Sequence, residues 1–189
     1  MQGNIIENKK YIQQLEAIRR YNPYAKLGSV TSLSHCRACG NEEIIDFLSL
    51  GLMPKPNGFI KSEDLCADEF FYPLDVCFCN ICGLVQLRQL IDPRLMFDHY
   101  VYATSASAPM IKHLQKFTAD ISKKLDLNDN SFVVDIGSND GTLLKQFKKI
   151  SMRVLGVDPA ENIAKKASEE GIPTEIKYFN EKTAQEIVE

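Results

Sequence analysis

The sequence predicts an α/β protein in two parts, a small cysteine module followed by alternating strands and helices of a parallel sheet. Three observations carry that expectation. Two copies of C-x-x-C-G stand at Cys36–Gly40 and Cys79–Gly83, inside a stretch rich in turn residues. From Ser131 onward, short apolar runs bounded by turn residues alternate with segments of helical spacing. Strand–helix–strand–helix–strand with short connections implies parallel pairing and right-handed crossovers.

At 189 residues the chain has room for one ordinary domain, or a small domain plus part of another. It is 44% hydrophobic and 25% charged, the balance of a soluble globular protein. No apolar run approaches a membrane span, and Met1 to Lys10 lacks the apolar core of a secretory signal, so a cytoplasmic protein is expected. A net charge of -3 gives no general attraction to nucleic acid or to an anionic membrane. Neither is expected as a partner. Six cysteines without a signal peptide point to a reducing compartment, where paired cysteines more often hold metal than form disulfides.

Residues 1–34 read as a helical extension. Ile5, Ile12, Leu15 and Ile18 share a helical face, ended by Asn22-Pro23. Residues 35–100 form the cysteine module. Gly51, Pro54, Pro56-Asn57-Gly58 and Pro73 make it a loop-rich unit without a deep core, one that needs a staple. Gly83 to Leu87 reads as a short strand leaving the second cysteine pair. Residues 101–127 connect the parts through a helix capped by Ser107, with Pro109 in its first turn. Met110, Ile111, Leu114, Phe117, Ile121 and Leu125 give it one apolar face, expected as core.

Residues 128–189 carry the alternating part. Ser131 to Ile136 is a strand, followed from about Thr142 by a helix expected to bury Leu143, Leu144, Phe147 and Ile150. Val154 to Val157 is the second strand, with Asp158-Pro159 capping a helix that ends at Gly171. Thr174 to Phe179 is the third strand, and a last helix starts near Glu181. A three-stranded parallel sheet has a bare edge, a place for self-association.

The matched cysteine pairs are the sharper signal. Two residues between cysteines let both thiolates reach one ion at about 2.3 Å. A glycine after the second cysteine permits positive φ, so backbone N–H groups can point at sulfur. Cys36, Cys39, Cys79 and Cys82 are therefore the expected ligands of one structural Zn2+, a full sphere with no open catalytic position. A disulfide or unrelated buried thiols are the other readings. Cys77 could stand in for Cys79, although the symmetry of the two turns favours Cys79; Cys66 is left over. His35 and His99 read as surface or locally bonded imidazoles. A nucleic-acid-binding finger is excluded by charge: between Cys36 and Cys82 stand three basic residues and eight acidic ones.

The second signal is Val133-Val134-Asp135-Ile136-Gly137-Ser138-Asn139-Asp140-Gly141-Thr142, which runs from strand through a glycine turn into a helix. Gly137 and Gly141 let the backbone pass close to a ligand. Asp158, 23 residues after Asp135, ends the second strand, where a carboxylate can accept both hydroxyls of a ribose. The turn is not the dinucleotide G-x-G-x-x-G. Its polar centre suits a cofactor without pyrophosphate, an amino acid joined to adenosine: S-adenosylmethionine (SAM). The expected contacts are Asp135, Gly137, Ser138, Asn139, Gly141, Asp158 and Pro159. An NAD-type half-fold is the alternative.

The order of the two knuckles, L-G-L-M-P-K-P-N-G-F, Y-P-L-D-V, C-G-L-V-Q-L, D-H-Y-V-Y-A-T-S, V-V-D-I-G-S-N-D-G-T-L-L and V-L-G-V-D-P-A resembles the sugar C-methyltransferases. The likeness runs from about Cys36 to Phe179 and leaves out the first 35 residues. It implies a zinc-binding module followed by the first half of a Rossmann-like class I SAM methyltransferase domain. In that family further strands and a C-terminal domain follow, so the chain is expected to be the N-terminal, truncated portion of such an enzyme and inactive alone. The implied substrate is a nucleotide-linked keto-deoxysugar, in deoxysugar biosynthesis. A base removes a proton beside the ketone, and the enolate carbon takes the methyl group. The residues that handle the proton are expected downstream of Glu189. Tyr100 and Tyr102 fall in a tyrosine region that the family places near its active site; packing or an interface is their other use. A different O- or N-methylating relative, or a non-catalytic zinc- and SAM-binding module, would share these motifs.

Overall fold

The computed structural model describes residues 9–189; the Ile5 position of the expected first helix lies outside them. The chain divides into two compact units between Met96 and Phe97. No helix of the described residues is long and apolar enough to cross a membrane.

The first unit is built on one long strand. Helix α1 (Lys9–Arg19) leads into β1 (Ala25–Leu27) and β2 (Thr31–Ser32), then into the hairpin of β3 (Ile44–Pro54) and β4 (Glu69–Cys79). Strand β4 pairs antiparallel with β3 along one edge. Its other edge takes β1 in parallel at one end and β5 (Val85–Leu87) in antiparallel at the other. Strands β2 and β6 (Gln89–Leu90) make a separate ladder, and the single turn α2 (Arg94–Phe97) follows. Tyr11, Leu15, Ala25 and Leu52 form the core, with Ile18, Leu27 and Phe71 beside them.

Two expectations change here. Ile12 is 45% exposed, and Tyr11 takes its place on the buried face of α1. The module expected to be loop-rich is organised around the long β3–β4 hairpin. Its alternation is broken by register shifts between Asp46 and Leu48 and between Ser49 and Leu52. Gly51, at φ +80°, sits in the second of these and takes a backbone conformation costly for any other residue.

The second unit alternates as expected. Helix α3 (Ala108–Lys124) is capped by Ser107, whose hydroxyl accepts from the Met110 N–H at 3.4 Å, with Pro109 in the first turn. Then come β7 (Phe132–Ile136), α4 (Thr142–Lys149), β8 (Arg153–Val157), α5 (Glu161–Glu169), β9 (Thr174–Glu175) and α6 (Glu181–Val188). The strands lie parallel in the order β7-β8-β9, with Asp135 paired to Gly156 and Ile136 to Val157. Leu144, Phe147, Met152, Val154, Ala167 and Ile172 form the core, with Ile121, Leu127, Val133 and Leu143 packed on it. Burying one such large aliphatic side chain contributes about 1.5–3 kcal/mol.

The apolar stripe of α3 is wider than its contact with that core. Ile121 packs on the cluster, whereas Met110, Phe117 and Leu125 are 38%, 42% and 59% exposed, not core as expected. Ile150 is also exposed, because α4 ends before it. The third strand shortens to Thr174–Glu175 where the Lys177 N–H turns back to the Glu175 carbonyl, 3.0 Å away. Asp158 does not itself cap α5: Ala160 holds that position, and Asp158 Oδ1 accepts from the Ala160 N–H at 2.8 Å.

Candidate functional site

The hairpin and the turn into β5 bring four cysteines together. The sulfurs of Cys36, Cys39, Cys79 and Cys82 all lie within 4.8 Å of one another. Cys36 and Cys82 stand 3.6 Å apart, and Cys39 and Cys79 stand 3.5 Å apart. Tetrahedral zinc with bonds of about 2.3 Å has sulfur–sulfur edges of about 3.8 Å, so the cluster already has the size the ion requires.

Both knuckles close by the same hydrogen bonds. The Cys36 N–H donates to the Asn41 carbonyl at 2.7 Å and the Gly40 N–H to the Cys36 carbonyl at 2.9 Å. In the second copy the Cys79 N–H donates to the Leu84 carbonyl at 3.0 Å and the Gly83 N–H to the Cys79 carbonyl at 2.9 Å. Gly40 and Gly83 have φ of +74° and +72°. A Cβ would meet nothing within 4 Å at either, so the dihedral angle alone calls for glycine. Around the first knuckle, the Arg37 N–H donates to Gln86 Oε1 at 3.1 Å. The Arg88 guanidinium reaches the Leu33 and Ile44 carbonyls, each at 2.9 Å.

The four thiols respond to one another electrically. The Cys39 N–H aimed at Cys36 sulfur and the Cys82 N–H aimed at Cys79 sulfur hold those two thiols below the ordinary range. Cys39 and Cys82 are pushed up. Each has a backbone N–H working the other way, from Asn41 and Leu84, but burial and the neighbouring sulfurs outweigh it. Four thiolates in this volume need a cation. All six cysteines are free thiols. Cys77 stays outside the cluster, its fully buried S–H donating to the Gln86 carbonyl at 3.5 Å.

At the carboxyl ends of β7 and β8 the glycine turn and Asp158 come together. Gly137, Asn139 and Gly141 have φ of +76°, +51° and +70°. A Cβ at Gly137 would meet no atom within 4 Å, so the turn opens a clear space there. Asp158 Oδ2 accepts from the Asn139 N–H at 2.8 Å, which ties the turn to the end of β8. Asp140 is fully buried and accepts from the Thr142 hydroxyl at 2.6 Å and the Thr142 N–H at 3.3 Å. Burial raises the Asp135 carboxyl, and the negative charge of Asp158 adds to the effect. Ser138 is buried with its hydroxyl unpaired, beside Gly156, where a Cβ would approach that oxygen to 2.5 Å. Pro159 follows Asp158 and is half-buried.

Sequence reasoning missed the partners of this turn. Asn139 Oδ1 accepts from the Thr104 N–H at 2.9 Å and the Thr104 hydroxyl at 3.2 Å, while its Nδ2 donates to the Tyr102 carbonyl at 2.9 Å. The Ser105 N–H donates to Asp140 Oδ2 at 3.0 Å. Asn162, in the first turn of α5, accepts from the Tyr100 N–H at 3.1 Å and donates to the Tyr100 carbonyl at 2.8 Å. The Tyr178 hydroxyl donates to Asp98 at 2.6 Å. The Tyr102 backbone is thus held at the glycine turn and the Tyr100 backbone at the start of α5, and Tyr102 is 44% exposed. A helix-opening asparagine after G-V-D-P was the available sign, but nothing in its spacing points back 62 residues.

Residues 36–97 match the family described as "Putative zinc binding domain", a stretch that contains all four clustered cysteines. The chain is 35% identical over 158 residues, 84% of its length, to C-methyltransferase NovU of Streptomyces niveus. It spans 38% of the length of that relative. The resemblance to C-methyltransferases that open with a zinc-binding module is borne out to this extent, and the cysteine cluster supports zinc.

Proposed function

We propose that the chain carries the structural zinc module and the cofactor-gripping part of a SAM-dependent C-methyltransferase acting on a nucleotide-linked keto-deoxysugar. The observation that carries this reading is the pairing of an open glycine turn at the end of β7 with Asp158 at the end of β8. In parallel α/β sheets, ligands sit outside the carboxyl ends of adjacent strands. The parallel order β7-β8-β9 with its intervening helices supports reading this part as a Rossmann-like half-fold.

Charge favours SAM over a dinucleotide. Two carboxyl groups, Asp135 near the end of β7 and Asp158 after β8, suit a sulfonium and an ammonium group better than a pyrophosphate. A pyrophosphate would also seek the free N–H groups of the α4 N-terminus. There the Asp140 carboxylate already accepts from Thr142.

When bound, SAM supplies an electrophilic methyl group. The chain's own part is to bind and orient. The space at Gly137 receives the amino-acid end, and Asp158 keeps lone pairs for ribose hydroxyls beyond those used by Asn139 and Ala160. Four thiolates would complete the zinc sphere, so the metal stabilises the first unit and takes no chemical step. The carbon-methylation part of the reading rests on the relative's printed activity, and the sugar on the motif resemblance.

Isothermal titration of this chain with SAM and with S-adenosylhomocysteine tests the reading. Saturable one-to-one binding of either is expected, with no competition from NAD. Binding of NAD in place of SAM would replace this reading with the dinucleotide one.

A further inference from the structure

Residues 98–105 cross the second unit in a definite order. Asp98 is bonded to Tyr178, beyond β9, and Tyr100 is bonded through both backbone groups to Asn162, beyond β8. Tyr102 and Thr104 are bonded to Asn139, and Ser105 to Asp140, beyond β7. The segment therefore passes the carboxyl ends of the strands in the reverse of their chain order, β9, then β8, then β7. A short 3-10 turn, Thr104–Ala106, then delivers it into α3.

Two asparagines do the same work at separate points. A primary amide carries an acceptor and two donors in one plane, so one side chain can satisfy a backbone C=O and a backbone N–H together. Asn162 does this for Tyr100, and Asn139 does it for Tyr102 and Thr104. Each replaces the neighbouring strand that this arm lacks. Asn139 also gives its own N–H to Asp158, so the arm, the turn and the end of β8 form one bonded unit.

We propose that Asn139 and Asn162 are positioning residues that hold residues 98–105 as the outer wall of the cofactor site. The inference rests on reading the glycine turn as a SAM site. A ligand that reaches both Gly137 and Asp158 comes close to the arm, because the arm is bonded to Asn139, in the same turn as Gly137 and itself bonded to Asp158, and to Asn162, in the helix that follows Asp158. Val101 and Tyr102, 52% and 44% exposed, give the arm an apolar surface for it.

The test uses the full chain, with amide exchange followed by nuclear magnetic resonance and SAM affinity measured by calorimetry. Asn139→Gly is the clean variant. Glycine accepts the +51° φ of that position and keeps the N–H to Asp158, so the fold of the turn is kept while the bonds to the arm are lost. Asn162, which is not among the expected cofactor contacts, separates loss of the arm from loss of a direct contact. Asn162→Ala removes the anchor at Tyr100, and Asn162→Asp keeps only the bond accepted from the Tyr100 N–H. The Tyr100, Thr104 and Ser105 amides should exchange faster in the first two variants, while those of β7 and β8 stay protected. SAM should bind about ten-fold more weakly, with Asn162→Asp between Asn162→Ala and the parent. Unchanged SAM affinity in both Asn139→Gly and Asn162→Ala would overturn the inference, as would weaker binding with arm exchange unaltered. A parent chain that binds no SAM overturns the cofactor reading itself, whatever the variants do.

Discussion

The Tyr11 hydroxyl donates to the Asp75 carboxylate across 64 residues of chain, inside the sheet that ends in Cys79. Gln89 Nε2 adds a second donor to Asp75 at 2.9 Å, and Asp75 returns its N–H to Gln89 Oε1 at 3.2 Å. Desolvation acts to raise Asp75, but the hydrogen bonds and the charge of Lys10 outweigh it, so its carboxyl titrates below the usual range. This links α1 to the strand that carries the second knuckle.

Tyr11→Phe should therefore destabilise the first unit by about 1–3 kcal/mol, since it leaves a buried carboxylate short of a donor. A carboxyl depressed on folding contributes stability above its unfolded pKa, and that contribution is lost as pH falls through its folded value. Denaturant midpoints measured at descending pH should fall for the parent, and the fall should flatten in Asp75→Asn.

Zinc should be found at one ion per chain by plasma mass spectrometry. Chelation should loosen the first unit, detected as faster proteolysis within residues 35–90. Cys39→Ser combined with Cys82→Ser should abolish retention of the ion. Full zinc retention by that double variant would remove these cysteines from the site.

Asp158→Ala should weaken SAM binding by about 2 kcal/mol, the scale of charge-assisted hydrogen bonds. Part of that loss reflects the Asn139 and Ala160 N–H groups left without an acceptor. Asp158→Asn, which keeps one acceptor, should lose less. Equal affinity across the three proteins, measured by calorimetry, would exclude Asp158.

Leu144 is fully buried at the centre of the second core. Leu144→Ala should cost about 2–5 kcal/mol in a urea titration of the chain.

The sequence was most legible where one residue type has one use. The knuckles could be read because a cysteine pair and a left-handed glycine each have few roles, and β7 and β8 because short apolar runs ended at turn residues. The β3–β4 hairpin was obscured by its two register shifts, which place Phe47, Leu48 and Leu50 in a sequence run without clean alternation. Burial on α1 and α3 was misjudged for another reason. Period shows which residues share a face, but not how much of that face a neighbour covers, so Ile12 and Phe117 looked like Leu15 and Ile121. The asparagine anchors were illegible because an asparagine bonding to a distant backbone has no local signature.

Gly156 reads in the sequence as an ordinary member of a buried strand, and in the structure it sets the height of the glycine turn. The Ser138 hydroxyl occupies the place where a side chain at position 156 would begin, 2.5 Å from that Cβ. Thr174 Oγ1 closes the same spot at 3.0 Å. The turn thus rests in a notch cut into the neighbouring strand, as a key sits in its ward. Any side chain at 156 would force the Ser138 side chain out of that notch. The shape of the loop is therefore written partly in a residue that belongs to no loop.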